Sequence, residues 1–336
     1  MDICPIWKDY YVDLGTEKSV EYSVYAEVDS GSVLIFKGLA HRRPNEANIK
    51  IKINDICADY LEQQVFQAEE GFFQHEISVK FYVSVGEASR LGYVQMINDW
   101  SYEDKEEYGV LASSITKMFD VRMPLLYSLF VPNAAQKTIY IDAQDTGADF
   151  NIDFSSDFLI GNDRGWNVNV QNSGTLTLRN IFDKQGDVTI RTDNSSITYK
   201  GISSCATHAL YYVNAYGGWD FMLMQGRTIE QDSYKRREFG KDYNNASAKN
   251  RGTYNYLNEV QKSFTLRTGW MFGNEGKQMH HLLGSTNVFL FDIEKQTMTP
   301  VIVTNGDCKY KTYGTEGGKL VSYEINVRIA QNRARR

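Results

Sequence analysis

From Ala209 to its end the chain is written as one short strand-like run after another. ALYYVNAYGGWDFMLMQGR, KSFTLRTGW, NVFLFDI, TPVIVTN, CKYKTY and KLVSYEINVRIA are each alternating or rich in β-formers, and each is closed by Gly, Asn, Asp or Pro. A helical bundle needs a period near four, and these runs have a period of two. Aromatic and charged residues fall at the turns, and nowhere do a nucleophile, a base and an orienting group stand together. The pattern predicts a β scaffold that works by contact, not by catalysis.

The 336 residues exceed what one hydrophobic core usually organises, so the expectation is a mainly β protein of two or three β-sandwich or barrel-like modules with one or two short helices. The modules are expected at 1–124, 125–204 and 205–336. In the first, Val20, Tyr22 and Val24 alternate with polar neighbours, a turn follows at Asp29–Ser32, and Val33-Leu34-Ile35-Phe36 returns as the second arm of a hairpin. Ile49, Ile51 and Ile53 alternate with Lys50, Lys52 and Asn54, after which Asn54-Asp55 is placed to cap a short helix through Ile56, Tyr60, Leu61 and Val65. Ile77, Val79, Phe81, Val83 and Val85 make the cleanest period-two run and predict a central strand. WSYEDKEEYGVLASSITKMFD, with its acidic opening, reads as an exposed loop between modules.

TIYID, WNVNV, TLTLR, DVTIR and SITYK recur in the second module at intervals of about 8 to 12 residues, as in a meander, sandwich or barrel. The third module offers one helix, Asn274 to Leu283, stopped by Gly284. Between Arg227 and Thr253 runs a long polar segment that includes Lys235, Arg236 and Arg237. A loop of that length is usually functional, and an arm that reaches a neighbouring subunit accounts for it. The C-terminus, with Arg333, Arg335 and Arg336, reads as a solvated or partner-bound tail.

Charge and composition narrow the function classes. A net charge of −6 argues against general attraction to nucleic-acid phosphates. No apolar run reaches the roughly 20 residues of a membrane-spanning helix. Cys4, Cys57, Cys205 and Cys308 form no CxxC pair and are expected as reduced, mostly buried thiols. No cofactor and no metal site is expected. Asp145-Thr146-Gly147-Ala148-Asp149 matches the aspartic-protease loop, but it lacks a second such loop and the two apolar residues before the Asp, so it reads as a polar turn. Asp142, Asp145, Asp149 and Asp153 lack the spacing of a calcium loop. His280-His281 are adjacent on a helix, point about 100° apart, and are expected at a surface or interface. GTEGGK at Gly314 precedes a strand and reads as a hairpin turn.

Tyr211, Tyr212, Tyr216, Trp219, Tyr254, Tyr256 and Trp270 could pack a core or a subunit interface, or build a sugar-stacking platform. YYVNAYGGWDFMLMQGR, KSFTLRTGW, HHLLGS, NVFLFD and LVSYEINV in succession, with GLAHRRPNEANIKIKINDICADYL near the amino terminus, resemble a structural protein of tailed phages and prophages of Bacteroidetes, including crAss-like phages. The resemblance touches both ends of the chain and leaves the middle module uncovered. It implies a virion component of the tail, baseplate or neck, assembled in the bacterial cytoplasm, whose partners are further copies in a ring and other virion proteins. It transfers no catalytic residues. Candidate contact residues are then Tyr216 and Trp219 at one turn, Arg227, Lys235, Arg236 and Arg237 on the arm, and Arg333, Arg335 and Arg336 in the tail. The alternative is a receptor-binding or carbohydrate-recognition protein at the tail tip.

Overall fold

The computed structural model describes residues 2–28, 31–64, 77–86, 89–101, 110–131, 137–143, 151–153, 159–162, 165–170, 174–179, 186–192, 195–240, 253–271, 276, 278–306, 320–330 and 333–335. The protein is mainly β, with several sheets and two helices among the described residues. It divides into two compact units, one of residues 1–203 with 213–221, the other of 204–212 with 222–336.

The first unit opens with a five-stranded sheet. Its strands are β1 (Asp2–Pro5), β3 (Ser19–Val28), β4 (Gly31–His41), β6 (Ser78–Val85) and β7 (Ser89–Ile97), in the order β1-β7-β6-β3-β4. β6 lies at the centre, as its alternation predicts, with Val79, Phe81 and Val83 buried. β2 (Tyr11–Asp13) and β5 (Lys50–Lys52) pair as a small ribbon. α1 (Asn54–Gln64) follows β5 and contributes Cys57 and Leu61 to a core shared with Val24, Ala26 and Phe81. Asn54 does not cap the helix as expected. Its amide is turned back on the amino-terminal segment, where Oδ1 accepts Tyr10 N–H at 2.6 Å and Nδ2 donates to Ile6 O at 3.2 Å and to Lys8 O.

The same unit carries a sandwich-like pair of sheets. β8 (Thr116–Asp120), β10 (Lys137–Ala143), β12 (Leu159–Asn162), β13 (Gly165–Val170), β15 (Asp187–Thr192) and β16 (Ser195–Ile202) form one, in the order β12-β13-β10-β15-β16-β8. β9 (Leu125–Leu129), β11 (Asn151–Asp153) and β14 (Gly174–Arg179) form the other, in the order β11-β14-β9. Tyr199 of β16, buried, donates its hydroxyl to Leu126 O of β9 at 2.9 Å and so joins the two. β8 lies in the stretch expected as an exposed loop between modules, yet it is a strand with Lys117, Phe119 and Asp120 buried, and it pairs in parallel with β16 in the sheet of the next module. Backbone pairing joins segments about 80 residues apart here, which no local run of sequence reveals.

The second unit is built on one large sheet of β17 (His208–Val213), β18 (Trp219–Met224), β19 (Ile229–Gly240), β20 (Thr253–Arg267), β21 (Val288–Asp292), β22 (Thr297–Val303), β23 (Glu324–Ile329) and β24 (Arg333–Arg335). The order is β18-β17-β21-β22-β23-β20-β19, with β24 also on β20. The last residue of β17, the turn after it and the first half of β18, together 213–221, belong to the first unit. α2 (Gln278–Leu283) packs Met279 and Leu282 into a core with Leu266, Leu290, Ile325 and Val327. Gly284 N–H closes the helix on His280 O at 3.0 Å. Asn274, the expected cap, and the turn GTEGGK lie outside the described residues.

Candidate interaction surfaces

The Tyr216–Trp219 turn is not an outward patch. Trp219 is 1% exposed, and Tyr216 packs against the cluster of Ile77, Ile97, Leu111 and Phe130. Asn214 shapes the turn, its Oδ1 accepting Tyr216 N–H at 2.9 Å and Gly218 N–H at 3.2 Å. Trp219 N–H donates to Ser128 Oγ at 2.8 Å, and Trp100 N–H donates to Ala215 O at 2.8 Å. Gly217 has a φ of 83° and lies so close to Asn98 that a Cβ would stand 2.4 Å from its carbonyl oxygen. A large apolar ring beside polar backbone is stabilised inside a core once those backbone groups are paired, and here they are. Trp219 is therefore withdrawn as a contact residue.

Behind this turn lies a charged pair that the sequence reading missed. Lys117 Nζ of β8 donates to Asp220 Oδ1, and their side chains are 3% and 0% exposed. Asp220 Oδ1 also accepts Phe221 N–H at 2.8 Å, while Oδ2 accepts Ser113 N–H at 3.0 Å, Ser113 Oγ–H, and Asn214 Nδ2–H at 3.3 Å. Burial pushes the carboxyl up, and Lys117 with Ser113 outweighs that and holds it below the ordinary carboxylate range. The signal available in the sequence was one acidic residue inside the apolar run WDFMLM, which must find a partner when that run is buried.

The arm expected over Arg227 to Thr253 is a strand ribbon on both sides of 241–252, which lie outside the described residues. β19 is paired along its whole length to β20, and all twelve of its residues are exposed. A polar stretch becomes a strand here because the ladder satisfies its backbone donors and acceptors without burying a side chain. Twelve residues of strand extend about 40 Å. At the base, Phe264 and Leu266 of β20 join the core; toward the tip, Tyr234, Phe239 and Tyr256 are 54%, 44% and 52% exposed. A bulge after Arg237 leaves Tyr256 as the extra residue of β20 and sets its ring 6.1 Å from that of Phe239. Lys235, Arg236 and Arg237 stand exposed among them, and Arg227 is exposed just before β19.

The basic tail is part of this ribbon. β24 pairs antiparallel with β20 at Val260, Glu259 and Asn258, which sets Arg333 and Arg335 in a strand instead of a free tail. Arg336 lies outside the described residues.

A surface that the residue-by-residue reading passed over lies on β4. Among the described residues this eleven-residue strand is the last in its sheet, and Val33, Leu34, Phe36 and Leu39 are 43%, 51%, 37% and 56% exposed. Gly38 leaves room for the rings of Tyr22 and Phe36, 5.8 Å apart, to lie over it. A long apolar edge strand presents backbone hydrogen-bonding groups and greasy side chains together, the combination that pairs with another chain. Four apolar residues in a row at Val33–Phe36 were the available signal, since a strand wetted on one face should alternate.

Other expectations resolve less usefully for binding. Tyr211, Tyr212 and Trp219 are each buried and so offer no ring to a ligand, whereas Trp270, 68% exposed, and Tyr256 are exposed. His281 is buried, which corrects its expected placement at a surface, while His280 is exposed. Cys4 and Cys57 are buried and Cys205 is exposed; Cys308, like Asp145 and Asp149, lies outside the described residues. No helix among the described residues is long and apolar enough to cross a membrane.

No family model and no curated protein matches the chain. Among solved structures, a crystal structure of the S-layer protein rSbsC(31-844) is 9% identical over 68% of this chain and 29% of its own, with a TM-score of 0.21. The surface layer protein SbsC, domains 1-6, is 10% identical over 82% of this chain and 36% of its own, with a TM-score of 0.20. The I9-I11 tandem from titin is 9% identical over 79% of this chain and 90% of its own, with a TM-score of 0.17. The chain thus spans about a third of the S-layer structures it is similar to, and likeness at these scores carries no argument about what it does.

Proposed function

We propose that this chain is a structural subunit of a tailed-phage virion, in the tail, baseplate or neck, that closes into a ring with copies of itself and touches other virion proteins. Its work is binding and assembly, with no catalytic step. The observation that carries this reading is the apolar edge of β4, which offers a strand-pairing surface on a protein whose other long exposed element, the β19–β20 ribbon, is polar and basic with aromatic anchors. A ring needs two different patches on each subunit, and an edge strand and a protruding ribbon are two such patches. The resemblance of both ends of the chain to phage structural proteins supports the same reading.

The test is the assembly state of the purified full chain by light scattering and negative-stain electron microscopy. Rings are expected, and the paired substitution Leu34→Lys with Phe36→Lys should leave monomers with unchanged circular dichroism. Monomers from the unsubstituted chain at every concentration would remove the ring. Glycan binding lost on Trp270→Ala or Tyr256→Ala would then favour a tail-tip recognition protein.

A further inference from the structure

We propose that Lys117 and Asp220 become covalently joined by an intramolecular amide bond, so that the first unit carries a self-formed cross-link between β8 and β18. This does not depend on the assembly reading above, and every group involved belongs to that one unit.

Four observations bring the reaction together. The amine and the carboxylate are in direct contact, and both are shut away from water. Asp220 Oδ2 faces the Ser113 N–H, the Ser113 hydroxyl and the Asn214 amide, donors aimed where charge would collect if Cγ became tetrahedral. The surroundings are aromatic: the Lys117 amine lies 5.7 Å from the centre of the Phe221 ring, and Tyr199 stacks on that ring at 6.1 Å. Finally, Asn214 is itself fixed, by Leu111 O at 2.9 Å and by the two backbone donors of its turn, so the donor set is held before any reaction.

The step balances without any added reagent. The ammonium passes a proton along its hydrogen bond to Oδ1, leaving a neutral amine beside a neutral acid. The Nζ lone pair attacks Cγ and forms the N–C bond, with negative charge on Oδ2 held by its three donors. The C–Oδ1 bond then breaks. Of the three ammonium protons, two leave with Oδ1 as water and one stays on the amide nitrogen. Condensation removes two opposite charges from a site where burial penalises each of them, and it releases the water to the solvent. Proximity supplies the rest, since the reactants lie 103 positions apart in the chain yet are held in contact by the fold.

The experiment is the intact mass of the purified, folded full chain, incubated to constant mass and measured under denaturing conditions, followed by proteolysis and peptide sequencing. The expected result is a mass lighter by one water and a branched peptide joining the segments of Lys117 and Asp220. Lys117→Arg, which keeps the charge but cannot form this bond, and Asp220→Ala should both show their full sequence masses. A full-mass wild-type chain overturns the proposal. Loss of ammonia instead of water overturns it in favour of a Lys117–Asn214 bond, and loss of water in Lys117→Arg as well assigns that loss elsewhere.

Discussion

Asn54 Oδ1 accepts the backbone N–H of Tyr10 at 2.6 Å across 44 positions of chain, and this one side chain fastens the amino-terminal segment to the start of α1. With Nδ2 donating to Ile6 O and Lys8 O, it bonds three backbone groups, of which Lys8 O also accepts from the Cys4 thiol. Asn54→Leu keeps the size and removes every partner. The expected loss is about 2 to 4 kcal/mol, since each buried group left unpaired costs about 1 to 3 and some regain water. Urea unfolding measures it, and an unchanged midpoint would show the segment to be held by other contacts.

Gly217 is a second point of failure. Its φ of 83° and the Asn98 carbonyl 2.4 Å from a notional Cβ mean that Gly217→Ala must both strain the backbone and displace the turn that carries Trp219. Left-handed backbone alone costs about 1 to 2 kcal/mol for a residue with a side chain, so a total of at least about 2 is expected. Gly240→Ala, at a position with open space around it, is the control and should be neutral. Equal melting temperatures for the two variants would contradict the geometry.

Stability should fall on mild acidification through His208. Burial holds its imidazole below the ordinary value, against an opposing pull from Asp292, and its ring lies 5.8 Å from that of Phe264. A histidine held neutral in the folded state gives its full contribution above the unfolded value of about 6.5 and loses it as pH drops toward the folded value, because the unfolded chain binds the proton first. His208→Gln should flatten the stability profile between neutral pH and the folded value. A parallel profile for the variant and the parent would assign the slope to other groups.

Thiol chemistry should separate the cysteines. Burial pushes the Cys57 thiol far up, and raises that of Cys4 as well, while Cys205 is exposed. Since the thiolate is the reactive form, in a Cys308→Ser background one thiol should react at once with a maleimide and two more only on unfolding. Rapid modification of Cys57 in the folded chain would count against the packing of α1.

The sequence by itself determined the strands that alternate, because a period of two is a local property. The alternation at Ile77 to Val85 places β6, and the short runs from TIYID to SITYK place β10, β13, β14, β15 and β16. It also carried the hairpin of β3 and β4 and the position of α1. Only the tertiary structure decided which surfaces remain. Trp219 is buried because a turn closes around Asn214, β8 joins a later sheet through parallel pairing, and twelve polar residues become β19 because β20 is long enough to pair with all of them. The apolar row of β4 stays exposed because, among the described residues, the sheet ends there. Lys117 and Asp220 meet only in the fold. Contacts between distant segments depend on pairing partners and on what finally covers each face, and neither is written in the spacing of neighbouring residues.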